Sequence, residues 1–184
     1  MHFRECDVEG AWVVVPTAHT DERGQFMRAW CNEEFTKHSI EFCPVQANMA
    51  FSTQKGTLRG LHSQVAPSPE AKLIRCTRGS VFDLVADLRP ASPTYLRWSG
   101  TTLSSANGEM LYIPEGCAHG CLSLEDDSEI YYLTSAFYTP DCVRGTRFDD
   151  PALNIQWPIT ASVVSDQDRS WPLIDTPAAN LAKA

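Results

Sequence analysis

The chain has no apolar run approaching the roughly 18 residues of a membrane span. Its opening residues, Met1-His-Phe-Arg-Glu-Cys-Asp-Val-Glu9, mix both charge signs and lack the apolar core of a secretion signal. A soluble, cytoplasmic protein with no membrane partner is expected. Basic charge is scarce, with 15 Lys and Arg against 23 Asp and Glu and a formal net charge of -8. General nucleic-acid binding needs a basic surface to displace counterions and is therefore excluded, so any anionic ligand must be held by a local basic cluster. Cys-x-x-Cys pairs are absent, and the 7 cysteines are odd in number, which predicts reduced thiols rather than a disulfide framework or zinc site. Cys76, Cys117 and Cys121 stand where small apolar strand residues would fit. Internal repeats and low-complexity stretches are also missing.

What is present is a series of short β-rich runs. A length of 184 residues suits one domain with a full core, predicted over 1–176, followed by an Ala-rich tail at 177–184 expected to be mobile. Strands are predicted at Trp12–Val15, Gln25–Trp30, Val45–Phe51, Thr57–Gln64, Ala71–Cys76, Val81–Asp87, Leu96–Leu103, Met110–Ile113, Gly120–Leu124 and Ile130–Phe137. Turn signals such as Arg78-Gly79, Asn107-Gly108 and Pro114-Glu-Gly116 separate them. This spacing describes an all-β antiparallel sandwich or barrel. The near-continuous apolar run in Val81–Leu88 predicts a strand buried on both faces. The one early helix is expected over Asn32–His38, capped by Asn32, with Glu33 and Glu34 at its positive end. The Pro-punctuated stretch around Asp149–Pro158 is expected to wrap back over the barrel.

The richest chemistry lies in Gly56-Thr-Leu-Arg-Gly-Leu-His-Ser-Gln64. Plain strand alternation would put Leu58, Gly60 and His62 on one face and Arg59, Leu61 and Ser63 on the other, unless Gly60 carries a bulge. A small β-barrel with Pro114-Glu-Gly-Cys-Ala-His119 resembles the second motif of the cupins. A metal-binding cupin needs a His-x-His pair and a following glutamate in its first motif, whereas this chain offers His62-Ser-Gln64. Two histidines without a third nitrogen or a placed carboxylate make a poor transition-metal site, so no metal is expected.

Leu58-Arg-Gly-Leu-His62, Ala71–Gly79, Val81-Phe-Asp83, Leu111–Gly120, Arg144–Pro151 and Asn154–Pro158, in this order and spacing, closely resemble the dTDP-4-dehydrorhamnose 3,5-epimerase family from about Trp12 to about Pro172. The resemblance implies a metal-free cupin-type jelly roll with a few short helices, and a homodimer that exchanges N-terminal strands. It implies a cofactor-independent epimerase acting at C3, C5 or both of a nucleoside-diphosphate 4-keto-6-deoxy sugar. It places the base on His62, the aspartate orienting it on Asp168, the acid on Tyr132 and the enolate-stabilising lysine on Lys72. Substrate contacts fall on Arg23, Arg28, Gln46, Asn48, Arg59, His119 and Tyr138. These residue types suit the chemistry: removing a proton beside a ketone needs a near-neutral base and a cation at the developing enolate oxygen. Inversion needs a second group on the opposite face, which an uncharged tyrosine hydroxyl can supply.

Departures from the family pattern cluster at the nucleotide end. His19 stands where an aromatic is usual, and Arg28 where a carboxylate is usual. Leu133, Val143 and Gln167 replace a lysine, a glutamate and a lysine. The proton-transfer set is intact, so the reaction class is more firmly indicated than the nucleobase. Two other readings fit the same architecture: a sugar-nucleotide ketoisomerase, and a sugar-binding module without turnover.

Overall fold

A computed structural model describes residues 1–175; the tail expected from Pro177 lies outside the described residues. In chain order the strands are β1 (His2–Glu5), β2 (Trp12–Val15), β3 (Ala18–Asp21), β4 (Gly24–Met27), β5 (Gln46–Ser52), β6 (Thr57–Gln64) and β7 (Lys72–Arg78). They continue with β8 (Ser80–Asp87), β9 (Trp98–Ser104), β10 (Met110–Ile113), β11 (Cys117–Ser123), β12 (Ser128–Thr134), β13 (Val143–Gly145) and β14 (Val163–Val164). Among the described residues two short α-helices, α1 (Asn32–Thr36) and α2 (Asp166–Ser170), and one 3-10 turn at Pro140–Cys142 complete the set. No helix among the described residues is long and apolar enough to cross a membrane.

Two antiparallel sheets stack face to face as a cupin-type jelly roll. One runs β1-β2-β10-β7-β12-β5, the other β13-β6-β11-β8-β9, with β14 added parallel to β6. Strand alternation sorts the side chains into layers. Val13, Ile74, Leu111 and Ile130 of the first sheet meet Val81, Val85, Leu103 and Cys121 of the second between the sheets. On the outer side of the first sheet, Val14, Leu73, Met110 and Tyr112 lie under Phe35, Ile40 and Phe42. The outer side of the second, with Leu61, Leu84, Ala86 and Ala118, is covered by Leu153, Ile155 and Trp157. The stretch after Asp149 thus wraps back over the barrel, and β8 is covered on both faces.

Helix α1 begins differently from the sequence expectation. Asn32 is its first residue, not its cap; Cys31 holds the cap position and makes no side-chain capping bond. Packing holds this turn in place: Phe35 is fully buried and meets Phe3 and Tyr112 edge-on and Phe42 stacked. The second predicted strand ends at Met27 rather than Trp30, and pairs with β3 in a separate hairpin. Residues of that hairpin are exposed from Ala18 to Phe26, and the Phe26 side chain is 73% accessible.

Candidate active site

A cavity of about 840 Å³ opens between the sheets. Its first wall is built in rungs by the β5-β12-β7 register. Gln46, Thr134 and Lys72 form one rung, and Asn48, Tyr132 and Ile74 the next. Residues two apart share a face, so Gln46, Asn48, Lys72 and Tyr132 all turn inward and line the cavity.

The facing wall depends on a bulge. Between β6 and β11, His62 pairs with His119 while Gly60 pairs with Gly120, so Leu61 is an extra residue. The alternation expected across Gly60 is thereby corrected: Arg59 and His62 share the cavity face, beside Cys121 and His119, while Leu61 turns out into the core under Leu153. Only glycine allows this. Gly60 has φ +126°, and an added Cβ would lie 2.7 Å from the His119 carbonyl oxygen and 2.8 Å from Gly120 Cα.

Asp168 reaches this bulge from α2, whose Ser165 cap accepts a hydrogen bond from the Asp168 N–H at 3.1 Å. One carboxylate oxygen lies 2.6 Å from His62 Nε2, and the other accepts the Gly60 N–H at 3.2 Å. Burial opposes the charged form of Asp168, but the bonds from His62, Gly60 and Ser165 outweigh it and hold the carboxyl below its usual range. With Nε2–H donated to Asp168, the His62 lone pair is at Nδ1, and His62 lines the cavity. A second pair stands alongside: His119 Nε2 lies 2.7 Å from Asp83 Oδ1, and Asp83 is fully buried.

Lys72 is only 6% exposed. Its ammonium pairs with Glu70 at 2.9 Å and donates to the His62 carbonyl at 3.3 Å. Burial, and secondarily the Glu70 charge, push the Tyr132 hydroxyl above its ordinary pKa, with Arg59 opposing them. Arg59 donates to the Phe51 carbonyl at 2.9 Å at the cavity rim. Gln46 accepts the Tyr138 N–H at 3.1 Å, which ties Tyr138 to the rim.

Gln64, standing where a metal cupin would carry its second histidine, is committed elsewhere. It donates to the Phe137 carbonyl at 3.2 Å and accepts the Thr139 N–H at 2.6 Å, anchoring the loop that carries Tyr138. Among the described residues no group of three or more His, Cys, Asp or Glu side chains is placed to hold a metal ion.

Arg23 and Arg28 are not brought to the cavity within this chain. Arg23 sits at the tip of the β3-β4 hairpin, paired with the Asp21 carboxylate, and Arg28 pairs with Glu34 at 2.8 Å beside α1. Glu70 and Asp83 had drawn no assignment from the sequence. For Asp83 a signal existed, a lone carboxylate inside an apolar strand. For Glu70 the sequence carries no such signal, because the burial of Lys72 two residues on shows only in the structure.

The family model for dTDP-4-dehydrorhamnose 3,5-epimerase matches residues 5–176. The chain belongs to the dTDP-4-dehydrorhamnose 3,5-epimerase family. It is 40% identical over 173 residues to the dTDP-4-dehydrorhamnose 3,5-epimerase of Sinorhizobium fredii, covering 94% of this chain and 89% of that one. It is similar to the crystal structure of the Bacillus anthracis dTDP-4-dehydrorhamnose 3,5-epimerase with TDP and PPi bound, with a TM-score of 0.90 and 34% identity over 94% of this chain and 99% of that one. A dTDP-4-dehydrorhamnose 3-epimerase of Streptomyces niveus is 35% identical over 92% of this chain and 82% of its own length. The 3,5-epimerase family thus includes relatives named for one centre as well as for two.

Proposed function

We propose that this chain is a cofactor-independent, cytoplasmic epimerase that inverts C3, C5 or both of a nucleoside-diphosphate 4-keto-6-deoxy sugar. The observation that carries this reading is the opposition across one cavity of His62, braced by Asp168 on the second sheet, and Lys72 with Tyr132 on the first. His62 Nδ1 takes the proton beside the ketone, and the Lys72 ammonium stabilises the oxyanion of the resulting enolate. Asp168 fixes the imidazole tautomer and stabilises the imidazolium that forms. Tyr132 returns a proton from the opposite face.

Arg59, His119, Gln46, Asn48 and Tyr138 at the same cavity hold the diphosphate and nucleoside, the guanidinium fork suiting a phosphate. Arg23 and Arg28 serve a neighbouring subunit in a homodimer with exchanged N-terminal strands. Two features support that dimer: the projecting, exposed β3-β4 hairpin, and the free edge of β5, where Met49 and Phe51 are exposed. Sedimentation should give a dimer; a monomer with full activity would remove the exchange and leave Arg23 without a role.

The central test incubates the enzyme in D2O with a dTDP-linked 4-keto-6-deoxy sugar and follows deuterium entry and configuration by NMR. Deuterium entry with inversion supports the epimerase. Absence of uptake with every 4-keto sugar nucleotide supports a binding module, and a product with the ketone moved supports the ketoisomerase. His62→Asn should abolish exchange without unfolding the chain, because the amide keeps size and polarity but cannot take the proton.

A further inference from the structure

A buried ammonium needs a partner, and the approach to β7 supplies one. Glu70 lies two residues before Lys72, with the Glu70 and Lys72 side chains 11% and 8% exposed and 2.9 Å apart. The second Lys72 bond goes to the carbonyl of His62, across the cavity on the other sheet. An ammonium has three N–H donors, so these two bonds fix its orientation and leave one for a ligand in the cavity. Building on the role of Lys72 given above, we propose that Glu70 is a positioning residue for the reaction, holding the Lys72 ammonium against His62 so that its remaining N–H meets the substrate oxygen.

The geometry makes a loose Lys72 costly for catalysis. Without Glu70, a four-carbon stem must hold its charge at the enolate oxygen against thermal motion, and a misplacement of about 1 Å is enough to cost about a hundredfold in rate. Glu70 also adds negative charge beside Tyr132, raising its pKa after the larger effect of burial and against Arg59. The other titratable groups lining this cavity are Arg59 and His62 on β6, Lys72 on β7, His119 and Cys121 on β11, Tyr138 in the loop after β12 and Asp168 on α2. Removing the Glu70 charge therefore lets Tyr132 lose its proton at lower pH, and the alkaline limb of the rate profile reports it.

The test compares Glu70→Ala, Glu70→Gln and Lys72→Met in the full chain, with thermal melts as a check on folding. Glu70→Ala should lower kcat about tenfold or more with KM changed less than about twofold, the signature of an interaction made in the transition state. Glu70→Gln still accepts a bond from Lys72, so it should restore kcat at neutral pH to within about threefold of wild type, with the alkaline limb moved to lower pH. A wild-type kcat in Glu70→Ala, an equal loss in both Glu70 variants, or an unmoved alkaline limb in Glu70→Gln would each overturn the proposal. Should Glu70→Ala fail to fold, Glu70→Met, which keeps the volume and removes the acceptor, takes its place in the same kcat and KM comparison. An active Lys72→Met would overturn the role of Lys72 itself; an inactive one beside a normal Glu70→Ala removes only Glu70.

Discussion

Asp168 touches His62 with one carboxylate oxygen at 2.6 Å and the Gly60 backbone N–H, two residues upstream, with the other at 3.2 Å. The same group therefore aims the imidazole and locks the bulge that turns it into the cavity. Asp168→Asn loses the charge, and its NH2 end cannot accept from either donor. Exchange of substrate protons should fall by about 10² to 10⁴, between wild type and His62→Asn, because the base survives without its orientation. An unaltered rate in a folded Asp168→Asn would detach α2 from the mechanism.

Two glycines separate backbone strain from collision. Gly24, at φ +120°, has nothing within 4 Å of an added Cβ, whereas Gly60, at φ +126°, would meet backbone atoms at 2.7 and 2.8 Å. Gly24→Ala should cost only conformational strain, about 1 to 3 kcal/mol, while Gly60→Ala should exceed it and lose proton exchange as well. Chemical denaturation of both variants gives the comparison; equal destabilisation would mean that the bulge can open without penalty.

Much of this was legible in the chain because periodicity carries it. The limits of β6 and β10, the double burial of β8 and the return of Asp149–Pro158 over the sheet all follow from apolar pattern and turn chemistry. The face on which His62 emerges could not be read that way. A bulge reverses parity beyond it, and a glycine marks where one is allowed without showing which side chain it releases. The hairpin strand β3, Ala-His-Thr-Asp, was missed because all four of its residues are exposed and leave no apolar alternation. Arg28 illustrates a different limit: the sequence reading places it at the substrate, yet within this chain it is engaged by Glu34.

Asp87 anchors the β8-β9 connection. It is fully buried and accepts bonds from Arg89 Nε at 2.9 Å and Thr94 Oγ1 at 2.6 Å. Burial alone would raise its pKa, but the bonds from Arg89, Ser92 and Thr94 prevail and hold the carboxyl far below its usual range. The folded-state pKa is depressed, so its stabilisation is full above the unfolded value of about 4 and is lost as pH falls below that. Asp87→Asn should cost about 2 to 3 kcal/mol at pH 7, less than a wholly buried pair because Arg89 reaches water. The difference in melting temperature between the two proteins should hold steady from pH 7 to about pH 5 and narrow below about pH 4; a constant gap down to about pH 3 would assign the loss to packing.

His19 and Arg28 bear on the nucleobase. The resemblance to the family implies an aromatic and a carboxylate at these two positions, and in the proposed dimer both would lie in the exchanged N-terminal segment. A guanidinium donates where a carboxylate accepts, which changes the base edge that can be bonded. Competition among dTDP, UDP, CDP and GDP should show either a preference other than dTDP or dTDP affinity that depends on Arg28. A clear dTDP preference unaffected by Arg28→Glu and His19→Phe would rule this out.

In the proposed mechanism Tyr132 is the group that separates inversion from mere enolisation. His62 lies on one sheet and Tyr132 on the other, both lining the cavity, so a sugar ring between them presents opposite faces to the two groups. Tyr132 is half-buried and its pKa is raised, chiefly by burial, so it keeps its proton through neutral pH and can donate it. Tyr132→Phe removes the hydroxyl and keeps the ring, which packs against the core between the sheets. Proton abstraction by His62 then continues, and deuterium should enter beside the ketone with configuration retained, because only the His62 face can return a proton. Inversion should fall by about a hundredfold or more, the scale for losing a positioned acid. Mass spectrometry of the recovered sugar nucleotide reads deuterium, and proton coupling constants read configuration in the same sample. If exchange and inversion fall together, Tyr132 serves enolisation or substrate placement; if neither falls, the acid is another group, and Tyr138 at the cavity rim is the first to replace.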